Sequence, residues 1–448
     1  MEDYCFITIH VLVLLSAYTL LKLSGVQILK ISIPSVVFVS FVVYAYIGFL
    51  FQYSFHKEQF EYDISREWMP LLFFYSSVSL ILLTSGCLIA SRKKKIVTNE
   101  AITEGLGRPG MRAVIVLFLL SCCMLLLYLI FLPEIPLMAV VSGDNIAAVY
   151  LRTATMTTNL LSGPFKSHHY RLFTFFIMSF LTYLLFAHAL VVRTKTAWML
   201  MSIVLFVAVF ASIVDTGKGQ LMLLLLGLYM TYIVTLNKKI RLTRALPLCA
   251  AFLVVLFIMI RHFMIVGEFD NGEILGGVFK RITMGAIAPA YHCLQMFQSQ
   301  DFLFGRSFPN PSGVFPFEQY NLDVAVWQHL NPSAGPDTLY SAPGVFWSEL
   351  YANFGPVGIF IFPFFLGILF YVIQTKLALL PNHPVKSAII VWVSIRLSLI
   401  SQRGASFLLA DTDLFAILII AFVVLMVDRK AMRLPRARIL SETIRHTP

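Results

Sequence analysis

Apolar runs of about twenty residues recur from one end of this chain to the other, each long enough to cross a hydrocarbon core of ~30 Å as a helix. In lipid the backbone N–H and C=O groups must be satisfied within the structure, so runs of this length fold as α-helices. Composition agrees. Charged residues make up 13% of the 448 and mean hydropathy is +0.82, whereas a soluble domain carries about 25% charged residues. Secreted, cytosolic and disordered chains are excluded. The expectation is an all-α polytopic membrane protein, one integral membrane domain over 1–448.

Eleven spans are predicted, near 4–23, 34–54, 69–90, 113–132, 171–192, 197–214, 219–236, 246–266, 355–375, 387–402 and 413–428. Alternate loops and the tail 429–448 hold 22 of the 34 Lys and Arg, the densest runs being Arg92 to Lys95, Lys238 to Arg241 and Arg429 to Arg438. Basic loops stay cytoplasmic, which predicts an outside N-terminus and a cytoplasmic C-terminus. The acidic start Met1-Glu2-Asp3 lacks a basic n-region, so no cleaved signal peptide is expected. Six cysteines form no CxxC pair, and neither a disulfide framework nor a zinc site is expected. The basic clusters are short tethers between spans, unlike a nucleic-acid-binding surface.

Two outer segments are long, 133–170 and 267–354. The second is rich in Pro, Gly, Asn and aromatics, and its apolar density predicts short helices lying at the outer interface. Charged residues in or beside spans are costly and therefore functional candidates. Arg152, Arg171, Lys218, Arg281, Arg396 and Arg403 all fall near the outer ends of spans. Singly, each could snorkel to headgroups or pair with acids such as Asp215 or Asp411. Together they suggest a pocket for a polyanionic headgroup, because guanidinium forks match phosphate geometry. A lipid-linked diphosphate is the natural ligand, a leaving group stabilised by preorganised cations. Glu349, just before the ninth span, is the acid placed to accept a proton from a sugar hydroxyl, or else to pair with one of these arginines. Asp323, His329 and Asp337 are weaker candidates, and the His168-His169 pair lacks a third metal ligand at recognisable spacing. The loop aromatics Tyr340, Trp347 and Tyr351 either anchor the interface or stack on sugar rings.

Ser341-Ala342-Pro343-Gly344-Val345-Phe346, followed by Glu349-Leu350-Tyr351-Ala352-Asn353-Phe354-Gly355, resembles a stretch of the Wzy-type O-antigen polymerases, the oligosaccharide repeat-unit polymerases. Gly217-Lys218-Gly219 is similar to their short mid-chain connection, and Arg152 to Gly163 fits their outer-loop Arg-x10-Gly spacing. Arg281 looks like a second loop arginine, without the following Gly. The resemblance implies a GT-C-like, metal-independent glycosyltransferase that needs no cofactor. Its implied reaction moves a growing glycan from one undecaprenyl diphosphate to a new lipid-linked repeat unit, at the outer face of a bacterial inner membrane. A chain-length regulator is an implied partner. In this scheme Arg152, Arg171, Lys218, Arg281 and Arg403 bind the diphosphate, with Arg152 and Arg281 also catalytic. Glu349 activates the acceptor, and Tyr340, Trp347 and Tyr351 hold glycan. The competing readings are an O-antigen ligase and, outside enzymes, a lipid-linked oligosaccharide flippase. A flippase would carry charge along a central cavity between two related halves, whereas polar material here gathers on one face.

Overall fold

The computed structural model describes residues 2–50, 64–93, 100–132, 134–144, 147–148, 150–152, 167–214, 216, 218–241, 271–310, 313–333, 340–409 and 411–428, with isolated positions 243, 247, 250, 254 and 257. Within them the protein is helical, and nine helical stretches are long and apolar enough to span a membrane. These are α1 (Glu2–Leu23), α2 (Ile33–Ala45, running on to Leu50), α3 (Met69–Lys93), α4 (Arg108–Phe131), α6 (Ser167–Val192), α7 (Lys195–Val214), α12 (Phe346–Ala378), α13 (Pro384–Ser398, with a 3-10 turn to Ser401) and the stretch Ser406–Val427 that contains α14 (Thr412–Val427). The short α5 (Pro136–Val141) precedes α6, and α8 (Lys218–Thr235) is apolar but shorter than the rest. The expected span at 246–266 falls almost wholly outside the described residues, as does the tail.

Helix starts follow local chemistry. Ser32 caps α2 in a reciprocal capping box with Ser35, and Pro34 sits in the first turn, where a missing N–H costs nothing. Pro384 opens α13 in the same way. Asp411 caps α14 by accepting from the Leu414 N–H.

Packing depends on small residues where backbones meet. A methyl group on Gly367 of α12 would lie 2.0 Å from the Leu83 carbonyl of α3, and one on Gly86 would lie 2.0 Å from the Phe364 carbonyl. The two glycines let α3 and α12 approach backbone to backbone, the usual solution where lipid offers no hydrophobic drive. α13 is the central pillar, packed by α2, α6, α8 and α14. Of its spanning window 89% is buried, against 17% for the peripheral α1.

The structure refines two expectations. The ninth span was placed from 355, and the helix is indeed broken there: a further helical stretch from Phe346, containing Glu349 to Phe354, precedes it across a kink at Gly355. Pro356 disfavours helical backbone in the residue before it, and Gly355 makes the kink at φ 63°. The second outer segment is also more deeply built in than an interfacial loop. Its helices α9 (Asn271–Met284), α10 (Ile287–Ser299) and α11 (Leu322–Leu330) are short, as expected. α10 is largely buried against α12, and with α11 it forms a small core around Cys293, Phe297, Leu322 and Val326.

Candidate functional site

The central helix carries one buried cation towards each end. At its start the Lys386 ammonium donates to the Ala378 carbonyl at 2.7 Å and to Asn382 at 3.3 Å. Ten residues on, about 15 Å along the axis, Arg396 makes a fork with two acids. Its Nε donates to Asp411 Oδ2 at 2.5 Å, while Nη2 donates to Asp411 Oδ1 and Asp413 Oδ2, both at 2.9 Å. Phe407 and Phe176 lie against the guanidinium, 4.3 and 4.7 Å from its carbon to their ring centroids. A buried guanidinium needs this degree of pairing. Arg396 is therefore committed to holding α13 against α14.

Two further arginines stand in the same electrostatic neighbourhood without such a commitment. Arg171 lies on α6 immediately before a π-helical turn, Leu172–Ile177. Such a turn inserts a residue and re-aims its neighbours, and it recurs at functional sites. Arg171 is sensed by Arg403 and Asp413, and its Nε is buried with no hydrogen-bond partner among the described residues. Arg403 sits in the turn between α13 and α14, solvent-exposed, with Phe407 4.9 Å from its guanidinium carbon. Neither its hydrogen-bonding groups nor a salt bridge are engaged among the described residues. Although part of the side chain reaches solvent, the protein packed around its guanidinium and the like charges of Arg396 and Arg171 pull it below the usual arginine range, opposed by Asp323 and Asp411. An arginine with so high an ordinary value stays charged nonetheless.

Glu349 is adjacent but sealed. It is 3% exposed; Oε1 accepts from the Ser307 hydroxyl at 2.5 Å and Oε2 from the Ser406 N–H at 2.8 Å. Asn353, one turn along α12, donates to Ser307 Oγ at 2.7 Å and accepts from the Gly305 N–H at 2.9 Å. Phe346 and Gly404 form an isolated parallel bridge, and a methyl group on Gly404 would collide with Glu349 Oε2. This lattice ties the 303–307 turn and the 404–406 turn to the start of α12. Among the described residues the pairing with an arginine that the sequence allowed is not formed, and both oxygens already have donors. Glu349 thereby braces the turn that carries Arg403.

The structure thus brings Arg171, Arg396, Arg403 and Glu349 to one end of the bundle, with Asp323, Asp411 and Asp413. It does not bring every expected residue there. Arg281 is exposed on α9, which packs on α2, and no described contact joins it to the cluster. Arg152 closes the described part of its segment, half-buried, and Gly163 lies outside the described residues. Lys218 opens α8, but its side chain, with Asp215 and Gly217, lies outside them too. Trp347 is wholly buried, with its ring 6.1 Å from that of Tyr75, and so presents no face to a sugar. Its place among the aromatics expected to stack on glycan is corrected to a core position. Tyr351 is half-buried between Tyr75 and Phe302. Tyr340 is exposed, its ring 5.3 Å from that of Trp327.

Sequence reasoning missed Asp413, Ser307, Ser406, Gly404 and the π turn. Only Asp413 left a usable signal: two acids at the mouth of an apolar run need a buried cation nearby. Below the arginines a pocket of about 60 Å³ is lined by α6, α7, α8 and α13, with Phe176, Tyr183 and Trp392 beside Gln220 and Arg396. No family model, curated protein or solved structure matches this chain.

Proposed function

We propose that this protein is a repeat-unit polymerase of the Wzy type: a GT-C-like, metal-independent glycosyltransferase of a bacterial inner membrane. It transfers a growing glycan from undecaprenyl diphosphate to a new lipid-linked unit. One observation carries the reading. Two arginines, Arg171 and Arg403, converge without hydrogen-bonded carboxylates beside the turn that Glu349 holds, next to the Ser341–Gly355 stretch on which the resemblance rests. Preorganised guanidinium forks of this kind meet the charge that develops on a departing diphosphate. Arg171 and Arg403 take that role, while Arg152, Lys218 and Arg281 are carried by resemblance alone. The distribution of Lys and Arg supports an outer, periplasmic position for the site and a cytoplasmic C-terminus. Tyr340 beside Trp327 is the aromatic surface left open to glycan.

The test is the surface polysaccharide of the source strain, resolved by length on a gel. Deletion of the gene is expected to collapse the polymer to a single repeat unit on its acceptor. Arg171→Ala and Arg403→Ala, expressed at wild-type level, are expected to do the same, because each removes a charge-assisted contact made by the leaving group. Complete absence of the repeat unit from its acceptor in the deletion strain would point to a ligase or flippase and overturn the reading.

A further inference from the structure

Among the described residues four carboxylates lie at this end of the bundle, and three are already committed. Asp411 and Asp413 hold Arg396, and Glu349 accepts from Ser307 and Ser406. The fourth, Asp323, lies in the first turn of α11, half-buried, and its carboxylate takes no hydrogen bond among the described residues. Its main chain is fixed. The Asp323 carbonyl accepts from the Ala342 N–H at 2.9 Å, and Asn321 caps the helix by accepting from the Val324 N–H. The side chain is therefore carried on a rigid support at the segment that leads into α12. The groups that face it electrostatically are Arg403 from the turn between α13 and α14, Glu349 from α12 and Cys293 from α10.

The geometry points to Asp323 as the catalytic base of the transfer, the group that takes the proton of the attacking glycan hydroxyl; this rests on the polymerase reading above. The acceptor oxygen bonds to C1 of the donor's reducing-end sugar as the C1–O bond to the diphosphate breaks. The electron pair of that bond stays on the diphosphate, between Arg171 and Arg403, and the hydroxyl proton ends on Asp323. Burial holds the Asp323 carboxyl above the ordinary carboxylate range, with Arg403 opposing. A raised value makes the ionised form a stronger base. The protonated form is inactive, so the rate rises with pH through this raised value and is lost below it.

The experiment uses the full-length protein in nanodiscs, with the host's own lipid-linked repeat unit, extracted from the deletion strain, as donor and acceptor. Asp323→Asn is expected to lower kcat by about 100-fold or more, the lower end of what a positioned base contributes. Donor KM should stay within about threefold, as for a group acting only in the transition state. The acid limb of the kcat–pH profile should vanish with it. Asp323→Glu should retain activity with that limb displaced. Wild-type kcat in Asp323→Asn, or a loss that leaves the acid limb in place, overturns the assignment, while loss of polymer in Arg403→Ala in the same assay leaves the polymerase reading standing. Should Asp323→Asn aggregate, an unmoved acid limb in Asp323→Glu overturns the assignment. A wild-type protein that makes no polymer from this substrate overturns both.

Discussion

At the scale of single residues, the informative contrast is between Glu349 and Arg403. The turn that carries Arg403 rests on Glu349, yet both carboxylate oxygens of the acid have donors, while the guanidinium makes no hydrogen bond among the described residues. A filled acid is structural. Glu349→Gln keeps one carbonyl oxygen for the Ser406 N–H, and the Ser307 hydroxyl can turn to accept from the new amide. It should therefore support wild-type polymer length. Glu349→Ala strands two buried donors, at a cost of about 2–4 kcal/mol, and should lower the thermal midpoint of the detergent-solubilised protein and shorten the polymer. Loss of polymer in a well-folded Glu349→Gln, judged by size exclusion, would return the carboxylate to the chemistry. Glu349 was legible in the sequence as important, through its place in the Phe346-Trp347-Ser348-Glu349-Leu350-Tyr351 stretch. Its role was not, because Ser307 lies 42 and Ser406 57 positions away.

At the scale of elements, the π turn in α6 is what aims Arg171. Helical register rotates each residue by about 100° relative to the last, so one inserted residue at Leu172–Ile177 swings Arg171 relative to the buried face of Met178–Val192. Deleting Leu172 should restore a continuous α-helix, leave the protein monodisperse in detergent and abolish polymerisation by turning Arg171 away from Arg403. Unchanged chain lengths from a monodisperse deletion would remove Arg171 from the site. No sequence pattern announces a π turn in an apolar run. The run from Tyr170 to Val192 reads as one span whether or not a residue is inserted. The α3–α12 contact is a similar case: Gly86 and Gly367 are visible as glycines, but their apposition is a property of the packed pair.

At the scale of the whole molecule, polarity is distributed along the bundle axis. One end of α13 gathers Lys386, His383 and Asp428, where His383 Nε2 lies 3.4 Å from Asp428 Oδ2 and the Gly107 N–H donates to the same oxygen at 2.5 Å. The other gathers the arginines and the described parts of the segment 301–345. If the latter end is external, a cysteine at Tyr340, which is exposed, should react with a membrane-impermeant maleimide on intact spheroplasts. A cysteine at Lys238, exposed beyond the end of α8, should react only after permeabilisation. Both measurements need Cys5 and Cys123 replaced by Ser, since these native thiols are exposed. The reverse pattern would invert the protein and place the arginine cluster on the cytoplasmic side.

By itself the sequence determined that this chain is a helical, multi-pass membrane protein, and nearly where its helices run. That information is local: twenty consecutive apolar residues require a helix in lipid whatever their neighbours do. It also marked the cations at the ends of spans and the Ser341–Gly355 stretch as the places to look. Only the tertiary structure decided which cations are spent and which are available. Arg396 and Arg403 are seven positions apart and indistinguishable as sequence, yet one is locked between Asp411 and Asp413 and the other is open. Pairing of buried charge depends on what the fold carries into a few ångströms of space, and desolvation makes each pairing decisive.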